Sequence, residues 1–266
     1  MGRSQQEFSR WLKFAMNHSY ILRSVLPIFV LCSLSPNLLA ASPAGSDSAL
    51  AVPPPPDIIV MGFVGGFVRH NDSVHQEVQL ADRLRKDYSS GVDVSVFANH
   101  QGRPAHDRIL RLLDAGHHGT LSAEEKRDAR VILYGHSWGA SEALNMAREL
   151  EKDGVHVLLT IQVDSVSKLG GDDRFIPANV ARAVNFFQLN GLLHGQRRIE
   201  AVNPQRTRIL GNFQFDYRTT PVRCDGYPWY AQLFMKPHIE IESDPRVWNR
   251  VDSLIRSELP STKARR

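Results

Sequence analysis

The run Gly135-His136-Ser137-Trp138-Gly139 fits G-x-S-x-G, a spacing that holds a serine hydroxyl exposed on a sharp turn from a strand into a helix. Its surroundings suit that turn. Val131-Ile132-Leu133-Tyr134 before it reads as a buried strand, and Ala140, Ala143 and Ala147 after it give a helix a small-residue face. Side chains at the two glycines would crowd the turn, and the serine itself must take an unfavourable backbone conformation. A serine hydroxyl is barely ionised at neutral pH. To attack a carbonyl carbon it needs a histidine to take its proton and an acid to orient that histidine. A candidate acid is Asp164, which closes the apolar run His156–Val163. The C-terminal ends of parallel strands are where functional groups gather. The plainer readings are a capping serine in a glycine-rich turn and a turn carboxylate.

The elements that must position these groups alternate along the chain. Strands are expected at Asp57–Met61, Val92–Ala98, Val131–Tyr134, His156–Val163, Ala183–Gln188 and Thr207–Phe213. Helices are expected at Val74–Tyr88, Arg108–Ala115, Trp138–Lys152 and Pro245–Leu254. The last has Asp244 as N-cap and Pro245 at its first position. Alternation at these lengths predicts an α/β fold, a mostly parallel sheet of about six strands with helices on both faces. No internal repeat and no second folded domain is evident.

With G-H-S-W-G between a strand and a helix in such an alternation, the chain resembles the α/β-hydrolase superfamily from about residue 56 to the last helix. Too little sequence precedes the first strand for the superfamily's first two, so the likeness is to a compact form starting at the third. The resemblance implies a serine hydrolase with chain order serine, acid, histidine. Beyond Asp164 stand His194 and His238. His238, expected in a loop leading into the final helix, occupies the place of the superfamily's base, and His194 reads as a loop residue. The superfamily's commoner acid lies one strand later than Asp164, so Asp172, Asp173 and Asp216 remain as alternatives. For the oxyanion the resemblance implies the backbone N–H of Trp138 and one from the Met61–Phe67 loop, here Phe63, with Val64 next to it.

Other motifs carry less. The glycines of Met61–Phe67 lack the Lys-Ser/Thr of a phosphate-binding loop and the spacing of a dinucleotide fingerprint. His70 and His75 fit polar positions at the start of the first helix, or the border of the site. His117-His118 has no evident partner set for a metal. The aromatics from Phe213 to Phe234 (Phe213, Phe215, Tyr217, Tyr227, Trp229, Tyr230 and Phe234) suit a loop packed on its own side chains, or an acyl pocket.

Residues 1–41 carry Arg3, Arg10, Lys13 and Arg23 ahead of an apolar stretch, Val25 to Leu39, that ends in Ala40, Ala41 and Ser42. This is the order of a secretory signal peptide, with an uncleaved membrane anchor as the alternative. Residues 42–56, ending in four prolines, read as a linker, 57–260 as the hydrolase domain and 261–266 as a basic tail. The chain has 32 basic and 28 acidic residues, net +4; removing the first 45, with four basic groups and Glu7, leaves 28 and 27. A nearly neutral domain points to no nucleic-acid partner. Of two cysteines, Cys32 falls in the leader and Cys224 is left alone, so no internal disulfide is expected.

These expectations converge on an exported hydrolase of a carboxylic ester, small or lipid-like. Ser137 would be the nucleophile, His238 the base and Asp164 its orienting acid. Phe63 and Trp138 would hold the oxyanion, with no cofactor and no metal. Membrane contact would come only through an uncleaved leader. Thioester hydrolysis and acyl transfer use the same residues, and a non-catalytic scaffold that binds a ligand or partner uses the same fold.

Overall fold

The structure, a computed structural model, describes residues 56–261, within the unit Pro54–Arg266. The expected leader, its Cys32, the linker up to Pro55 and the tail from residue 262 lie outside the described residues.

Among the described residues there are eight strands: β1 Ile58–Val64, β2 Val92–Ala98, β3 Val131–His136, β4 Val157–Val163, β5 Phe175–Ile176, β6 Val180–Gln188, β7 Glu200–Ala201 and β8 Arg208–Phe215. Six form one sheet in the order β2-β1-β3-β4-β6-β8, every neighbouring pair parallel, and β5 with β7 makes a small second sheet. Burial follows position. β1 and β3, flanked on both sides, are buried at every residue, whereas β2 at one edge alternates and β8 at the other is mostly half-buried. Strands covered on both faces need unbroken apolar runs, which is what Ile-Ile-Val-Met and Val-Ile-Leu-Tyr supply.

The helices are α1 Gln76–Asp87, α2 Gly102–Leu113, α3 Ala123–Asp128, α4 Trp138–Lys152, α5 Trp229–Phe234, α6 Lys236–Ser243 and α7 Pro245–Arg256. The twofold alternation of strand side chains divides the core into two layers. Ile58, Val60, Ile132 and Tyr134 face one way, packed with Val78 and Leu84 of α1 and with Trp248, Val251 and Ile255 of α7. Ile59, Met61, Val131 and Leu133 face the other, against Ile109 of α2 and Ala143, Leu144 and Leu150 of α4. The six-stranded parallel sheet with helices on both faces is the α/β fold that the sequence implied, and it is consistent with an α/β-hydrolase architecture.

Two departures matter. α2 begins at Gly102, well ahead of the expected Arg108, because Pro104 falls in its first turn, where proline costs little. The second is α6, where a loop was expected. His238, Ile239, Glu240, Ile241 and Glu242 are all buried, so this helix has no solvent face to give it a helical pattern. Its alternation of polar and apolar residues imitates a strand.

Candidate active site

β3 delivers Ser137 to the start of α4. Ser137 has φ 57° and ψ −128°, left-handed backbone that a serine adopts only under constraint. The constraint is close packing by two glycines. A Cβ on Gly139 would run into the Phe63 carbonyl, and one on Gly135 would meet Phe63 and Gly139 themselves. The strained turn is held by hydrogen bonds from Ser137 N to the Val163 carbonyl (3.0 Å) and from Val166 N to the Ser137 carbonyl (3.3 Å).

The structure brings Ser137, His238 and Asp164 together. Ser137 Oγ lies 2.8 Å from His238 Nε2, and His238 Nδ1 lies 2.7 Å from Asp164 Oδ2. Asp164, the residue after β4, is fully buried with φ 44°. Its Oδ1 accepts from Gly195 N at 2.7 Å and Gln188 N at 3.2 Å. Its Oδ2 accepts from Gln188 Nε2 at 2.8 Å as well as from His238. Four donors converge on one carboxylate and fix its orientation. Gln188 is itself fixed, because its Oε1 accepts from Asn190 N and its Nε2 also donates to the Leu193 carbonyl. Gly195 has to be glycine: a Cβ there would collide with the Asp164 backbone.

The competing acids and histidine lie elsewhere. Asp172 is exposed, Asp173 accepts from the Ser141 and Ser165 hydroxyls, and Asp216 caps a turn at Arg218 N. His194 is exposed. His117 and His118 are exposed too, beside a turn capped by Asp114.

Phe63 sits inside β1, between Phe97 of β2 and Gly135 of β3, with its ring in the core. The backbone that comes against the serine is the turn just past the strand. A Cβ on Gly65 would stand 3.0 Å from Ser137 Cβ and 3.6 Å from its Oγ. Val64 ends β1, and Trp138 opens α4 directly after Ser137. Phe67, 55% exposed, stands edge-on to Trp138 with ring centres 5.8 Å apart. Further exposed apolar side chains, Leu192, Trp229, Leu233 and Phe234, lie on the loop after β6 and on α5, which packs against α6. The aromatics thus divide. Phe213, Phe215 and Tyr217 pack on Phe186 and one another, and Trp229 and Phe234 face solvent.

A second group of buried residues stands behind His238, and sequence reasoning missed its connections. His136 packs its ring on His238 with centres 4.5 Å apart, and its Nε2 donates to the His238 carbonyl at 3.1 Å. Its Nδ1 is 3.0 Å from Glu242 Oε2, whose other oxygen is 2.5 Å from His75 Nδ1. Burial opposes charge on both rings, but the Glu242 carboxylate outweighs it and raises both pKa values. Burial likewise opposes charge on Glu242, and the two histidines override it to hold the carboxyl well below its usual range. His238 goes the other way: burial first, then the charge on His136, lowers its pKa against the pull of Asp164. A histidine kept neutral near pH 7, in contact with a hydroxyl and anchored by a carboxylate, can accept the hydroxyl proton.

Cys224 is a free, half-buried thiol whose pKa burial pushes up to about 11, so it is a poor nucleophile. No helix among the described residues is long and apolar enough to cross a membrane.

No protein-family model matches the sequence, and a search of curated proteins returns no match. Among solved structures the chain is similar to RedJ, the thioesterase from the prodiginine biosynthetic pathway in Streptomyces coelicolor. The identity is 11% and the TM-score 0.38, over 82% of this chain and 97% of that one. A second RedJ structure, with a PEG molecule bound in the active site, gives 11% identity and a TM-score of 0.36 over 82% and 96%. Likenesses this distant carry no chemistry to this chain.

Proposed function

We propose that this protein is a serine hydrolase that cleaves carboxylic esters through an acyl-enzyme on Ser137. The observation that carries the reading is the unbroken hydrogen-bonded line from Ser137 Oγ through His238 to Asp164, at 2.8 and 2.7 Å, with the serine on a strained turn. His238 takes the hydroxyl proton as Oγ attacks the acyl carbon. It then returns that proton to the leaving alkoxide, so an alcohol departs and the acyl group stays on Ser137. A water deprotonated by the same histidine releases the acid and restores the serine. Asp164 keeps the Nδ1–H tautomer facing itself and balances the imidazolium. The oxyanion would be held by the Trp138 amide and by backbone at the end of β1, from the expected Phe63 to the Gly65 turn.

The exposed Phe67, edge-on to Trp138 beside the nucleophile, favours an ester with an apolar acyl or alcohol part. Nothing in this reading requires a cofactor. Export by way of residues 1–41 is part of the same proposal and is tested by finding the chain, shortened at its N-terminus, outside the cytoplasm.

The test is labelling of the purified protein with a fluorophosphonate probe, alongside Ser137→Ala and His238→Ala. Labelling of the wild type that both substitutions abolish is expected, followed by turnover of p-nitrophenyl esters. A parallel assay with an acyl thioester decides between oxygen and sulfur leaving groups. A folded wild type that takes no label would overturn the reading in favour of a ligand-binding scaffold.

A further inference from the structure

Glu77 lies in the first turn of α1. Its side chain is 0% exposed, and neither carboxylate oxygen has a hydrogen-bond donor. Burying a carboxylate without a hydrogen-bond donor is among the costliest placements in a protein interior. What Glu77 faces makes this worse, because a ligand oxygen of the buried Glu242 carboxylate lies within 4.8 Å of its own. The histidines do not resolve the conflict, because His75 and His136 both direct Nδ1 at Glu242.

We infer that His75, Glu77 and Glu242 form a binding site for a divalent transition-metal ion, with Zn2+ the best fit. One ligand atom from each of the three converges with the others to within 4.8 Å. One imidazole nitrogen and two carboxylates suit Zn2+ and its neighbours, whereas Ca2+ and Mg2+ take oxygen ligands throughout. The local backbone explains how residues two apart can share an ion. Side chains at i and i+2 of a regular helix diverge, but His75 is the N-cap, in extended conformation at φ −86° and ψ 134°, and so turns its ring toward Glu77. Glu242 arrives from α6, so the ion would tie α1 to the helix that carries His238.

The charges balance. Without an ion, Glu77 must hold a proton to stay buried, and a second proton lies between His75 Nδ1 and Glu242 Oε1, which are 2.5 Å apart. Binding releases both protons to solvent and leaves a neutral imidazole and two carboxylates around a doubly charged ion. Tetrahedral zinc keeps its ligands about 3.3 Å apart, so the His75–Glu242 pair opens by less than an ångström. His75, 12% exposed, gives the ion its route from solvent. The inference does not depend on hydrolysis at Ser137.

The experiment uses the full chain without an affinity tag, stripped with a chelator, reloaded with Zn2+ and dialysed. Metal content is read by mass spectrometry, and Co2+ loading by visible absorption. About one equivalent of zinc per chain, a tetrahedral Co2+ band and a melting temperature raised by Zn2+ are expected. Glu77→Gln, which keeps the shape, and His75→Asn should each weaken binding by roughly tenfold or more. A folded wild type that retains no zinc overturns the inference and leaves a proton shared by the two carboxyls. Equal binding by wild type and both variants also overturns it, by placing the ion at surface histidines such as His117 and His118.

Discussion

Asp164→Asn removes one charge and alters no volume, yet the structure makes it a severe change. Oδ1 accepts from two backbone amides, Gly195 N and Gln188 N, neither of which can turn away. The single oxygen of an asparagine must therefore stay at that position, and its NH2 group takes the place of Oδ2. There it confronts Gln188 Nε2 and His238 Nδ1. Gln188 cannot flip to offer its oxygen without losing its bonds to Asn190 N and the Leu193 carbonyl. His238 can yield by moving its proton to Nε2. In that tautomer the nitrogen 2.8 Å from Ser137 Oγ is already protonated and can no longer act as a base. The expected loss in kcat is a thousand- to ten-thousand-fold, about 4–5.5 kcal/mol of barrier. The donor pair left facing the amide should cost about 1–3 kcal/mol of stability. Ester turnover and fluorophosphonate labelling rate measure the first, and thermal melting the second. If Asp164→Asn stays folded and retains activity within tenfold of wild type, the tautomer argument fails and Asp164 does not orient His238.

Three further outcomes follow from the same geometry. Because burial and then the His136 charge lower the His238 pKa, kcat/KM should hold its plateau below pH 6.5 as pH falls. It should decline only where His238 gains its proton; a profile with its midpoint at or above 6.5 contradicts that direction. Gly195→Ala puts a methyl into the Asp164 backbone and must displace the loop. Melting should fall by an amount equal to about 1–3 kcal/mol, and labelling of Ser137 should slow with it. Trp248→Ala, which empties the fully buried position between α7 and the sheet, should cost about 3–5 kcal/mol in denaturant unfolding while labelling of the surviving folded protein continues.

The sheet was legible because its physics is local. β2 and α4 have the bounds read from the sequence, and the other strands of the six-stranded sheet differ by a few residues, since a central parallel strand must be a run of apolar residues. Gly135 and Gly139 were legible for a similar reason, the turn between strand and helix having no room for a Cβ. The helix that carries His238 was not. Complete burial erased the period that would have marked it, and Pro237, a loop signal in isolation, sits in its first turn. The links from Gln188 and Gly195 to Asp164, and from His136 and His75 to Glu242, join residues far apart in the chain. No spacing rule reaches across them. The end of β1 was not legible either: the strand runs on to Val64, which puts the turn beside Ser137 at Gly65.

Ser137 and Asp164 share a feature that a purely structural role would not need. Both are non-glycine residues with positive φ, 57° and 44°, and both stand where a strand has just ended. Such conformations cost about 1–3 kcal/mol each and persist only where the surroundings fix them. At Ser137 the fixing groups are Val163, Val166 and the paired glycines. At Asp164 they are the Phe186 carbonyl, which accepts from Asp164 N at 2.7 Å, and the Gly195 amide. The supports interlock, since Val163 comes just before Asp164 and holds Ser137 through its carbonyl. A shift at either end of the line is therefore transmitted to the other. Loosening the Gly195 loop should disturb the serine as well as the acid, and that is why labelling of Ser137 is the sharper readout for Gly195→Ala than stability alone.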